Sequence, residues 1–233
     1  MKIYIYRYGS LCEPDIIDAF KRIGLEIVEE SAEIYNKSIV PSESAALASS
    51  VLTKGGFAFA FTINFFPWLS DICQLLNITY ISLIVDSPVL ELYSNAISNP
   101  VNRIFLFDKM LYEEFEQYNK GHIFHMPLAT NTSRTDEIIS LASYSDKKKY
   151  ASDISFIGST YQEKCSFNNA VLSDYERGFV DGIINAQIGV YGFNFIESML
   201  TEDMAEKLLK SIPDHYEFPS SSRKNIKALV AQY

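Results

Sequence analysis

The chain of 233 residues carries a formal charge of −9, with 48% hydrophobic and 21% charged residues. That balance supplies enough apolar side chains for a packed core and excludes wholesale disorder, while the negative charge disfavours nucleic acid, whose backbone is held chiefly by Lys and Arg. The length exceeds a usual domain of roughly 100–150 residues and falls short of two full doubly wound domains, which predicts one domain plus an appendage.

From the N-terminus, KIYIYRY (2–8) alternates as a strand, and EPDIIDAFKRIG places Ile16, Ile17, Phe20 and Ile23 at helical spacing before Gly24 stops the helix. LEIVEE (25–30) is a short strand; a helix is expected from Ser42 to Leu52, and Gly55-Gly56 resets the chain into the strand FAFAFTI (57–63). FPWLSDICQLLN is predicted as a helix, YISLIV (80–85) as a central strand buried on both faces, and PVLELYSNAI as another helix. RIFLF (103–107), DKMLYEEFEQY (108–118) and HIFHM (122–126) complete the series as strand, helix and strand. Strands separated by about ten helical residues require crossovers, so six of them in this rhythm predict a Rossmann-like, doubly wound parallel sheet.

Beyond Pro127 the rhythm changes. LATNTSRTDEIISLASYSDKKK has loop composition with one short amphipathic piece, and its basic run, Lys147 to Lys149, is expected to be a solvated loop. DISFIGSTY (153–161) is predicted as one more strand, followed by helices in DYERGFVDGIINAQIGVYGFNF, TEDMAEKLLKSI and SSRKNIKALVAQY. The expected organisation is a Rossmann-like domain over 1–150 and, over 151–233, a strand with a largely helical extension.

Cys12, Cys73 and Cys165 are odd in number and far apart, which suits a reducing compartment better than a disulfide scaffold. The N-terminus lacks the apolar core of a signal peptide, and the apolar neighbourhood 57–69 is interrupted by Asn64 and Pro67 before Asp71. A cytoplasmic protein without a transmembrane segment is expected.

Ligands of open α/β sheets sit outside the carboxyl ends of the strands. The residues there are Gly9 and Ser10, Asn64 with Pro67, Asp86 with Ser87, Asp108, and His125 with Pro127. Asp86 is the sharpest candidate: a general base if a half-buried rim tunes it beside a nucleophile, or a charge near a helix N-terminus, with Ser87 as cap and Pro88 at the first helical position. His122 and His125, three apart on a strand, point to opposite faces and make an unsuitable metal pair; His125 is a weaker base candidate or a structural histidine. Tyr8-Gly9-Ser10-Leu11-Cys12-Glu13 stands where a Gly-x-Gly-x-x-Gly would follow the first strand, and neither a Walker A sequence nor an Asp-x-Asp pair occurs. Gly158 and Ser159 offer backbone donors for a phosphate.

Taken together, YRYGSLCEPDIIDAFKRIG, NFFPWLSDICQ, YISLIVDSPVLELYS, NRIFLFDKMLYEEF, FHMPLA and DISFIGSTYQEK resemble the N-terminal region of the CgeB-like glycosyltransferases, which include spore maturation proteins; FVDGIINAQ and YGFNFIESML carry the likeness to about residue 200. The resemblance implies a GT-B architecture, with an acceptor-side N-terminal domain and a donor domain that holds a nucleotide sugar without a cofactor or required metal. It also implies that Gly9, Ser10, Asn64, Ser87, Asp86 and His125 line the acceptor half of a cleft, and that Gly158 and Ser159 meet the donor diphosphate. The glycine-rich, glutamate-bearing donor segment of that family is not found here, so the expectation is an acceptor-side domain that is nearly inert alone. The alternative is a non-catalytic Rossmann-like module that binds a ligand or protein, with self-association through the helical tail as a further possibility.

Overall fold

The computed structural model describes residues 1–159, 170–211 and 226–232. The chain divides into two compact units, Met1–Arg134 and Thr135–Tyr233.

The first unit runs β1 (Lys2–Tyr6), α1 (Glu13–Arg22), β2 (Glu26–Glu30), α2 (Ala32–Tyr35), α3 (Pro41–Leu52), β3 (Phe59–Ile63), α4 (Pro67–Leu76), β4 (Thr79–Ile84), β5 (Asn102–Leu106), α5 (Lys109–Phe115) and β6 (Ile123–His125). All six strands are parallel, in the order β2-β1-β3-β4-β5-β6. The Rossmann-like α/β fold read from the alternation is the fold observed. Strand order reverses between β1 and β3, with β2 on one side of β1 and every later strand on the other; right-handed crossovers running in opposite directions put their helices on opposite faces.

The same handedness splits the packing. On one face Tyr4, Tyr6, Ala60, Tyr80, Ile84, Ile104 and Leu106 meet Ala48 and Leu52 of α3, Leu69 and Cys73 of α4, and Leu111 and Phe115 of α5. On the other face α1 brings Ile17, Ile16 and Phe20 onto Ile3, Ile5, Phe61 and Ile63. β4 was expected to be buried on both faces; Tyr80, Ser82 and Ile84 are buried, but Ile81 and Leu83 are only half-buried, because α1 lies over β1 and β3.

Two further expectations are corrected in this unit. PVLELYSNAI forms two 3-10 turns, Leu90–Tyr93 and Asn95–Ser98, instead of a helix. Its apolar residues Val89, Leu92, Ala96 and Ile97 still reach the core. The break falls at Ser94, whose backbone is extended and whose hydroxyl accepts the Ala96 N–H at 3.2 Å to start the second turn; buried Asn102 then donates from Nδ2 to the carbonyls of Ala96 (2.7 Å) and Ile97 (3.1 Å) at its end. Ser87 is also not a helix cap: the backbone is extended at Val89, and the first turn begins only at Leu90.

The regular elements among the described residues of the second unit are helices. α6 (Thr132–Leu141) crosses the boundary, and α7 (Tyr144–Tyr150), α8 (Asp174–Ile188), α9 (Ile196–Met199), α10 (Glu202–Ser211) and α11 (Ile226–Gln232) follow. Lys147 to Lys149 lie in the last turn of α7, where their charge complements the helix dipole, and not in a loop. Ser143 and Asp146 start α7 with a reciprocal capping box, as Ser173 and Glu176 start α8. Ile183, Leu200, Met204 and Leu208 form this unit's core. The strand expected over 153–161 is not formed in its described part, 153–159, where Ile154, Phe156 and Ile157 are exposed. A strand requires a neighbour to complete its hydrogen bonds, and the described residues of this unit contain no other strand. Among the described residues no helix is long and apolar enough to cross a membrane.

Candidate functional site

The strand reversal brings the carboxyl ends of β1 and β3 side by side, with β4 next to β3. Three residues far apart in sequence meet there. Asn64 Nδ2 donates to the Tyr8 hydroxyl at 2.9 Å and to Asp86 Oδ2 at 2.6 Å, while Asn64 Oδ1 accepts the Val85 N–H at 3.1 Å.

Asn64 is held in the left-handed region, at φ 54°. A non-glycine residue there is uncommon and persists when its surroundings over-determine it. The surroundings do so here: Thr62 Oγ1 (2.6 Å) and Ser82 Oγ (2.9 Å) both donate to the Asn64 carbonyl, and the Asn64 N–H donates to the Leu83 carbonyl at 2.8 Å. Beneath it the buried Tyr80 hydroxyl lies 2.7 Å from Thr62 Oγ1 and accepts the Phe66 N–H at 3.0 Å, which fixes the turn from β3 into α4. Every polar group of Asn64 is engaged, and the outcome is one carboxylate, Asp86, aimed at the sheet rim.

Asp86 is exposed and Ser87 beside it is exposed too. The half-buried setting expected of a tuned base is absent, and what anchors the carboxylate is an amide donor. Burial pushes the Tyr8 phenol up to about 12, with the charges of Asp86 and Glu13 adding to it, so Tyr8 is neutral at physiological pH. Edge-on aromatic contacts back this rim: Tyr6 with Phe66 (5.0 Å) and with Trp68 (4.9 Å), and Phe66 with Trp68 (5.9 Å). The Tyr6 hydroxyl donates to Glu33 and lies 3.1 Å from Ser44 Oγ; burial, then Glu33, hold this phenol well above its ordinary range.

The loop from β1 to α1 is built differently. The backbone N–H groups of Tyr8, Gly9 and Ser10 converge on Glu13 Oε1 at 2.9, 3.0 and 3.1 Å. The second oxygen, Oε2, takes Arg7 Nε at 3.2 Å, and Arg7 also reaches Glu29 at 2.6 Å. Consecutive amides of this kind form an anion nest, the arrangement that cradles phosphate in nucleotide-binding loops. Here the nest holds the protein's own carboxylate, only 2% exposed. Gly9 is needed for the turn: its φ is +95°, and a Cβ would stand 3.3 Å from Lys37 Nζ. Gly9 and Ser10 therefore stand after β1 with their amides committed to Glu13.

The other predicted residues fall elsewhere. Asp108 caps α5, accepting from Met110 N (2.7 Å) and Leu111 N (3.1 Å). His125 ends β6, exposed and beside the Tyr112 ring at 6.2 Å; two strand spacings, about 10 Å, separate β6 from β4. Gly158 lies under the Phe156 ring, which comes within 2.6 Å of where a Cβ would be. Gly158 and Ser159 belong to the second unit, and the segment 160–169 after them, with Cys165, lies outside the described residues. No group of His, Cys, Asp or Glu placed to hold a metal occurs among the described residues.

Sequence reasoning missed Glu13, Tyr8 and the aromatic backing. Glu13 had a signal: Ser10-x-x-Glu13 is capping-box spacing at the start of a helix. Tyr8 and Trp68 had none, because their roles depend on which strand ends become neighbours. Neither a protein-family model nor a curated protein matches this chain, so the reading of the site rests on its own geometry.

Proposed function

We propose that this chain is the acceptor-side domain of a GT-B glycosyltransferase, in which a sugar passes from a nucleotide sugar to a hydroxyl-bearing acceptor. The observation that carries the reading is Asn64 in its left-handed conformation at the strand reversal, presenting the Asp86 carboxylate at the rim. An acceptor hydroxyl must be oriented and relieved of its proton as the glycosidic bond forms, and a fixed carboxylate does both. Glu13 supports the division of labour. With the amides of the first βα loop occupied, this half offers no vacant nest there for a diphosphate, as befits the half that holds the acceptor. The segments that resemble CgeB-like proteins include YRYGSLCEPDIIDAFKRIG, NFFPWLSDICQ and YISLIVDSPVLELYS, which contain Glu13, Asn64 and Asp86.

The test joins this domain to a donor-binding domain and measures release of nucleoside diphosphate from a panel of nucleotide sugars in the presence of alcohol and sugar acceptors. Asp86→Asn is expected to reduce acceptor-dependent release at least 100-fold while the far-ultraviolet circular dichroism spectrum stays unchanged. Unaltered turnover would remove Asp86 from the chemistry. A second reading, a ligand-binding module without catalysis, draws on the exposure of Asp86 and its anchoring by an amide alone. It predicts saturable binding of a hydroxylated ligand with no release from any donor.

A further inference from the structure

On the face of the sheet that α1 covers only in part, a groove of about 400 Å³ lies between α1 and the segment 126–133. Leu83, Val85 and Ile16 contribute apolar surface to it, and Met126 and Leu128 line it from the segment after β6. The volume falls within the range of about 300–1,000 Å³ typical of small-molecule sites.

The charges around the groove are internally matched. Asp15 pairs with Arg134 at 3.0 Å and accepts from Asn131 at 3.1 Å. Asp18 pairs with Arg22 at 2.9 Å, and Arg22 also donates to Ser133 at 3.2 Å. Each acid has a base, so an ionic ligand gains no partner without breaking an existing pair, and an apolar surface favours a neutral, water-averse group.

Val85 joins this groove to the polar rim. Its N–H is held by Asn64 Oδ1, it lines the groove, and the next residue carries the Asp86 carboxylate. One residue step, about 3.8 Å between Cα atoms, separates apolar groove from polar rim.

We propose that the groove takes the neutral apolar body of an amphipathic alcohol, such as an aryl glycoside, whose hydroxyl groups reach the exposed Asp86 carboxylate. The inference deepens the acceptor reading by naming the class of acceptor, and as a statement about binding it is tested without any donor. Phenyl β-glucoside and methyl β-glucoside share their hydroxyls and differ in the apolar body. Titrated calorimetrically into the whole chain, the phenyl compound is expected to bind at least tenfold more tightly. Ala19→Trp and Ala129→Trp each place an indole into the groove from an exposed position. Both are expected to abolish the preference for the phenyl compound while leaving the urea midpoint unchanged; two independent fillers guard against one of them misfolding. Equal affinity for the two glucosides, no binding of the phenyl compound at millimolar concentration, or an undiminished preference in both folded variants would overturn the assignment. Groove-dependent binding with no nucleoside diphosphate release even when the domain is joined to a donor-binding domain would leave the groove standing and defeat the transferase reading. Transfer that ignores the aryl group and both fillers would do the reverse.

Discussion

Two strand-to-helix junctions of the same sheet, a few ångströms apart, spend their polar groups in opposite ways. At the end of β1 three backbone amides and Arg7 all turn inward onto buried Glu13, and the loop is sealed by its own carboxylate. Between β3 and β4 the inward-facing bonds converge on Asn64 instead, and the carboxylate they hold, Asp86, is left in solvent. One acid therefore stabilises the fold and the other is available to a ligand, although both follow a strand. Burial and the number of donors tell them apart, not residue type.

The contrast is broken most severely by Glu13→Ala. Removing a buried acid that satisfies three amides and an Arg is expected to cost about 3–5 kcal/mol in urea unfolding, because the orphaned donors stay out of water. Glu13→Gln, which keeps an acceptor oxygen, should recover part of the loss. If the amides do form a nest, phosphate should raise the midpoint of the Ala variant and not that of the natural chain. A cost below about 1 kcal/mol would mean that the carboxylate does not hold the loop.

Next in size is Asn64→Ala, expected to cost about 2 kcal/mol from left-handed strain and the lost side-chain bonds to Val85 and Tyr8. Asn64→Gly relieves the strain but not the bonds, so it should fall between the two in the same unfolding measurement. Equal stability of all three would remove the conformational part of the argument.

A smaller effect separates the rim by pH. The folded-state pKa of Tyr8 is raised to about 12, above the ordinary phenol value near 10. The folded state therefore holds this proton more tightly than the unfolded chain does. That contribution is fully present below about pH 10 and is lost as pH rises through 12. Unfolding measured across this window should fall less steeply in Tyr8→Phe than in the natural chain; parallel curves would show that Tyr8 is not buried as described. Smallest of all, Asp86→Ala should change stability by no more than about 0.5 kcal/mol, as expected for an exposed side chain. A larger loss would make Asp86 a structural residue like Glu13.

Much of the fold was legible because apolar runs such as KIYIY and FAFTI, spaced by helical periods, report local burial directly. Where that reading failed, a local cap or a missing partner decided the outcome. PVLELYSNAI has helical spacing and buries the residues that spacing selects, yet Ser94 caps a new turn within it and leaves two 3-10 turns. ISFI has strand composition, but strand character in the chain does not provide a partner edge. At the rim, Gly9, Ser10, Asn64 and Asp86 were visible as strand-end residues. His125 was equally visible, and the sheet order carries it away from the others.

From the sequence alone follow the six-strand alternation, the parallel sheet with helical crossovers, and the stock of small and polar residues at the strand ends, since all of these depend on periodicity over a few residues. Only the tertiary structure decided that β1 lies between β2 and β3. That order joins residues 8, 64 and 86 into one cluster and sets Val85 between that cluster and the groove beside α1. Strand order is a choice among long-range packings that bury the same apolar runs, and no local pattern carries it.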